Sequence, residues 1–139
     1  MSDTSTHHIS QYLARTQAAH QKGNATEHTY RGDLTQLLRE LLPHIETTNE
    51  PRRINCGAPD YVLTDNKGIA VGYIEAKDIG DKDLKGEKKT GNKEQFDRYK
   101  TALANIIFTD YLDFHFYRDG ISTHSICLAE LIDGKITAR

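Results

Sequence analysis

The chain has 139 residues, enough for one compact domain with a single hydrophobic core. Hydrophobic residues make up 37% and charged residues 27%, a somewhat polar globular composition, and no apolar run approaches the roughly 20 residues of a membrane span. A net charge of −2 and a pI near 6.4 argue against a freestanding, tight, non-specific nucleic-acid binder, but leave room for contact through one local patch. The N-terminus MSDTSTHHISQ lacks the basic and apolar regions of a signal peptide. Cys56 and Cys127 stand far apart without metal-type spacing and read as reduced thiols of a cytoplasmic protein.

Residues 1–6 read as a disordered tip. A helix is predicted from Ile9 to Gln21, with Ile9, Leu13 and Ala18 or Ala19 as a thin apolar stripe, and KGNA then breaks it. Residues 1–22 are thus an N-terminal helical segment and 23–139 the main domain, which reads as a fragment of a longer chain because it ends on ELIDGKITAR without a stop-like feature. In TEHTYRGDLTQLLRELL, Tyr30, Leu34, Leu37, Leu38 and Leu41 fall on one apolar helical face, and Pro43 closes the helix. HIETTNEPRR reads as a polar linker. Strands are predicted over about 58–64 and 69–77 around a DNKG turn, the second apolar on both faces and therefore central. Residues 78–93 form a Gly- and Lys-rich loop, and between 82 and 93 Lys82, Lys85, Lys88, Lys89 and Lys93 outweigh Asp83 and Glu87, a local charge of +3. A helix near 93–105 follows, then strands near 106–109, 111–117 and 121–128, the last two a hairpin about RDG. The order α-α-β-β-α-β-β-β predicts an α/β fold, one mixed sheet with helices on its faces.

The string acid-x-Lys occurs five times: Asp65/Lys67, Glu75/Lys77, Asp83/Lys85, Glu87/Lys89 and Asp133/Lys135. Four of these lie in turns or the charged loop and read as solvated. Glu75 and Lys77 instead end a strand expected to be buried on both faces, and at spacing two they leave the same face. Unpaired buried charges are costly, so this pair needs partners or a bound ion. A tight turn at DNKG sets Asp60 opposite residue 73, one pleat from Glu75. Two neighbouring carboxylates raise each other's pKa unless a cation lies between them, and hard oxygen donors favour magnesium or manganese over zinc.

Pro59-Asp60, fifteen residues, then Glu75-Ala76-Lys77 resembles the signature of the PD-(D/E)xK nuclease superfamily. An acidic residue on the helix before the hairpin, here Glu27, and Gln95 and Tyr99 at i, i+4 on the following helix extend the likeness. The wider set ATEHTYRGDLTQLL, GAPDYVL, YIEAKD, QFDRYK and IIFTDYLDFHFYRDG, over roughly residues 20–125, resembles the N-terminal nuclease-like domain of restriction–modification enzymes fused to an adenine-specific DNA methyltransferase. No methyltransferase segment is present in these residues, a departure that fits a fragment.

The resemblance implies a restriction-endonuclease-like core of αβββαβ type and a magnesium-dependent DNA endonuclease, with manganese able to substitute. It implies that Asp60, Glu75 and the backbone carbonyl of Ala76 hold the metal, and that Lys77 orients or activates the attacking water and stabilises the transition state. Glu27 would support the metal site, and Gln95 and Tyr99 would contact phosphate or support the catalytic residues. It further implies double-stranded DNA as substrate and a methyltransferase and target-recognition region in the same full-length chain. The setting would be the cytoplasm of a bacterium or archaeon, without a membrane partner, and double-strand cleavage would call for a dimer on DNA.

Structural alternatives stand beside these roles. Glu27 sits three residues after Asn24, where it can complete a capping box. Gln95 and Tyr99 can simply cap and pack their helix, and the lysine loop is either solvated or an unspecific contact to DNA phosphates. The seven histidines form no ligand set, and no Gly-rich phosphate loop or Ser/Cys nucleophile arrangement is present. The other functions consistent with the sequence are a catalytically silent nuclease-fold DNA-binding module and a junction-resolving or recombination nuclease.

Overall fold

A computed structural model describes residues 3–23, 27–49, 57–80 and 91–139. The described elements are helices α1 (Asp3–Lys22), α2 (Glu27–Leu41) and α3 (Gly91–Ala102), and strands β1 (Glu46–Asn49), β2 (Tyr61–Thr64), β3 (Ala70–Ala76), β4 (Asn105–Thr109), β5 (Asp113–Arg118), β6 (Ile121–Cys127), β7 (Ala129–Ile132) and β8 (Lys135–Ala138). Strands β1 to β6 form one sheet in sequence order, antiparallel except for the parallel pair β3–β4 that α3 connects. β7 and β8 make a separate hairpin. The fold is α/β, one mixed six-stranded sheet flanked by helices, the arrangement of a restriction-endonuclease-like core.

The alternation of side chains along the strands divides the core in two. Tyr61 and Leu63 of β2 and Ile74 and Ala76 of β3 face α1 and α2, where they bury with Tyr12, Leu13, Leu34 and Leu37. On the other face Tyr73 packs against Phe96 and Tyr99 of α3, Leu103 just after it, and Ile106 and Phe108 of β4. Each fully buried Leu, Ile or Phe contributes roughly 1.5–3 kcal/mol relative to exposure. Phe96 and Phe108 stack with ring centroids 3.8 Å apart, which ties α3 to the sheet directly beneath the end of β3.

Several elements depart from expectation. α1 begins at Asp3, where a disordered tip was predicted, and it buries Tyr12 and Thr16 besides Leu13, so it packs into the main core. The Tyr12 hydroxyl donates to the Tyr111 carbonyl at 2.6 Å across that core. β1 lies within the predicted polar linker. Its sequence ETTN has no apolar alternation, and it exists because it pairs along the edge of β2. β3 is buried on both faces only at its C-terminal end, since Ile69 and Val71 are exposed while Gly72, Ile74, Glu75 and Ala76 are buried. The chain also continues past β6 into the β7–β8 hairpin, turning at Asp133 and Gly134, both with positive φ.

Candidate active site

The DNKG hairpin sets the geometry of the site. Asp65 Oδ1 accepts the amides of Lys67 at 2.9 Å and Ile69 at 3.0 Å, and Gly68 adopts φ 79°, which a glycine tolerates best. The longer turn and a bulge between Leu63 and Thr64 shift the register, so that Tyr61 pairs with Ile74. Asp60 therefore falls beside Glu75 and not opposite residue 73, which corrects the register expected from a tight turn. Its amide donates to Glu75 Oε1 at 3.2 Å, and its Oδ2 accepts the Ala76 amide at 2.8 Å. The two carboxylates meet where β2 begins and β3 ends, the end of the central strands at which the chain enters and leaves the sheet.

Glu75 is buried, 4% exposed. Burial first, and then the neighbouring charge of Asp60, push its carboxyl up to about 8, with Lys77 pulling partly the other way. Lys77 follows two residues later, and its amide donates to the Thr109 carbonyl at 2.8 Å, which extends the β3–β4 pairing to the site. Its ammonium lies 3.5 Å from Glu75 Oε2, donates to Gln95 Oε1 at 2.6 Å and sits 5.5 Å from the Phe96 ring centroid. One i, i+1 pair on α3, Gln95 and Phe96, thus holds the lysine head from two sides.

Tyr99 takes a different place. It is buried within the α3 side of the core, with its hydroxyl and ring edge against Gly57, where an added Cβ would stand 3.1 Å from the hydroxyl oxygen. Gly57 has φ 130°, and it leads through Pro59 into Asp60. Tyr99 thereby supports the backbone that delivers Asp60.

Arg31, not singled out from the sequence, completes the described charges. It lies on α2, and its Nη2 contacts Asp60 Oδ1 at 2.5 Å. Its carbonyl accepts hydrogen bonds from the Tyr61 hydroxyl at 3.0 Å and the Thr35 hydroxyl at 2.8 Å, which fastens α2 to β2. Burial holds the Tyr61 hydroxyl far above its ordinary pKa, so it stays a donor. The only linear signal for Arg31 is its position one turn after Glu27 on the same helix.

The side chains of Glu27 and Lys93, together with Lys82, Lys85, Lys88 and Lys89, lie outside the described residues. The structure thus brings Asp60, Glu75, Lys77 and Gln95 together, with Tyr99 beneath them. Among the described residues no cluster of three or more His, Cys, Asp or Glu side chains gathers. The groups there that could hold a hard divalent cation are the two adjacent carboxylates and the Ala76 backbone carbonyl.

No protein-family model and no curated protein matches the chain. Among solved structures, a chain in the cryo-EM structure of a DrdV–DNA complex superposes with a TM-score of 0.65 at 21% identity, over 87% of this chain and 12% of that one. The two share a fold. The present chain spans only about an eighth of the DrdV chain, as its 12% coverage implies. Among the described residues no helix is long and apolar enough to cross a membrane.

Proposed function

We propose that the chain is a magnesium-dependent DNA endonuclease domain that hydrolyses phosphodiester bonds, the restriction part of a restriction–modification enzyme. The observation that carries this reading is the meeting of Asp60, Glu75 and Lys77 at one end of the central strands, with Glu75 buried beside a second carboxylate. Such a pair is costly as a purely structural element, and a divalent cation relieves the cost. The shared fold with a protein solved on DNA supports a nucleic-acid substrate.

Asp60, Glu75 and the Ala76 carbonyl would hold the ion. Bound there, magnesium would lower the pKa of a coordinated water and offset charge on the phosphodiester. Lys77 supplies a fixed positive charge for the pentacovalent transition state and a donor to orient the attacking water. Gln95 holds the Lys77 head toward Glu75, and the Phe96 ring lies 5.5 Å from the ammonium. The Gly57–Tyr99 contact fixes the approach of Asp60, so the donors converge before substrate arrives. The remaining parts of the proposal are a cytoplasmic setting, a methyltransferase and target-recognition region in the full-length chain, and paired domains on DNA for double-strand cleavage.

Incubation with unmodified plasmid DNA and magnesium tests this, beside a Lys77→Ala control. The wild type should nick or linearise the plasmid, and the variant should be slower by about a thousandfold or more. Equal cleavage by both proteins, or none by the full-length parent, sinks the proposal. The Arg31–Asp60 ion pair favours a second reading, a silent DNA-binding module, because it neutralises one carboxylate without any metal. Manganese binding that Asp60→Asn leaves unchanged would support that alternative.

A further inference from the structure

Arg31 is a second fixed cation at the site, and the proposed chemistry leaves it without a part. Its guanidinium meets Asp60 Oδ1 at 2.5 Å, with 11% of its side chain exposed. The Tyr61 and Thr35 hydroxyls hold its carbonyl, so the root of the side chain is fixed to the strand that Asp60 leads into. Asp60 Oδ2 is committed to the Ala76 amide. Oδ1 is therefore the oxygen better placed for a metal ion, and Arg31 holds it. A divalent ion and a guanidinium a few ångströms apart repel strongly in a partly desolvated site. A phosphate diester, in contrast, offers guanidinium the same planar pair of acceptors that a carboxylate does.

We propose that Arg31 is a placeholder counter-ion. It holds Asp60 in position while no metal is bound, and a DNA phosphate draws it away as substrate docks, releasing Oδ1 to the divalent ion. The inference rests on the functional reading above. Arg31 is a positioning residue here, acting on the metal site through Asp60. Metal binding is then weak without DNA and tighter with it, and by reciprocity DNA binds more tightly when metal is present.

The test is calorimetric titration of manganese into the full chain without nucleic acid, for the wild type, Arg31→Met, Arg31→Gln and Asp60→Asn. The glutamine variant keeps a donor toward Asp60 without the charge. Both Arg31 variants should bind manganese about tenfold or more tightly than the wild type, the effect of removing a unit charge a few ångströms from the ion. A second titration uses calcium with and without a short DNA duplex. The duplex should tighten calcium binding to the wild type, and the gain should shrink in Arg31→Met. Manganese affinity equal to or weaker than wild type in both Arg31 variants overturns the proposal. Should neither variant fold, a wild-type calcium affinity unchanged by duplex overturns it. Binding lost in Asp60→Asn but unaffected at Arg31 defeats only this inference, whereas a wild type that binds neither manganese alone nor calcium in the presence of duplex defeats the functional reading as well.

Discussion

Replacing Glu75 by glutamine should stabilise the metal-free protein, although it removes a residue of the site. The unfolded carboxyl has its ordinary pKa of 4.5, while burial and Asp60 push the native one up to about 8. A group whose native pKa is raised favours folding fully below the unfolded value and loses that contribution as pH climbs to the native one. At pH 7 the unfolded carboxyl is ionised and the native one mostly protonated, and taking up that proton costs about 3 kcal/mol. Glutamine has no proton to take up. A less favourable fit of the amide should offset part of the gain, leaving on the order of 1–2 kcal/mol, a few degrees in Tm for a domain of this size. The assay is thermal unfolding followed by circular dichroism in chelator, for both proteins from pH 4 to pH 8.5. At pH 4 the variant should be slightly the less stable, and the gap should move in its favour from about pH 4.5 and level off near pH 8. A variant less stable than wild type throughout, or a gap that does not change with pH, would refute the reasoning.

Two further outcomes follow from the same geometry. The proposed magnesium binding would require the Glu75 carboxylate, so saturating magnesium should raise the wild-type Tm more at pH 8.5 than at pH 6, with no rise in Asp60→Asn; thermal scans at the two pH values check both points. Gly57→Ala should cost about 1–3 kcal/mol, because φ 130° disfavours a side chain and the new Cβ would stand 3.1 Å from the Tyr99 oxygen. Denaturant unfolding measures that loss, and combining it with Tyr99→Phe should recover part of it.

The parts of this fold that were legible from sequence are those where one residue pattern answers one physical demand. The leucine stripe of α2 demands a buried helical face, and the RDG turn supplies left-handed residues, Asp119 and Gly120, that join β5 to β6. The meeting of Asp60, Glu75 and Lys77 was legible because period-two alternation places charges on a strand end. The register was wrong by two residues because a bulge leaves no mark in hydrophobic alternation. β1 was missed because an edge strand with one buried residue, Thr47, carries no apolar pattern. The β7–β8 hairpin had a usable signal in Asp133-Gly134, flanked by the paired Ile132 and Lys135, and its short strands concealed it. Arg31 was not legible at all, since its contact with Asp60 joins a helix to the residue just before β2, twenty-nine positions away.

The most direct test of the central claim, that Asp60 and Glu75 form a divalent cation site, is a crystal structure of the chain bound to a short DNA duplex, grown with manganese and recorded at an anomalous wavelength. The account predicts a single strong peak bonded at about 2.2 Å to oxygens of Asp60, Glu75 and Ala76, lost in crystals of Asp60→Asn. A peak elsewhere, or fully ordered carboxylates with no peak between them at millimolar manganese, would contradict it.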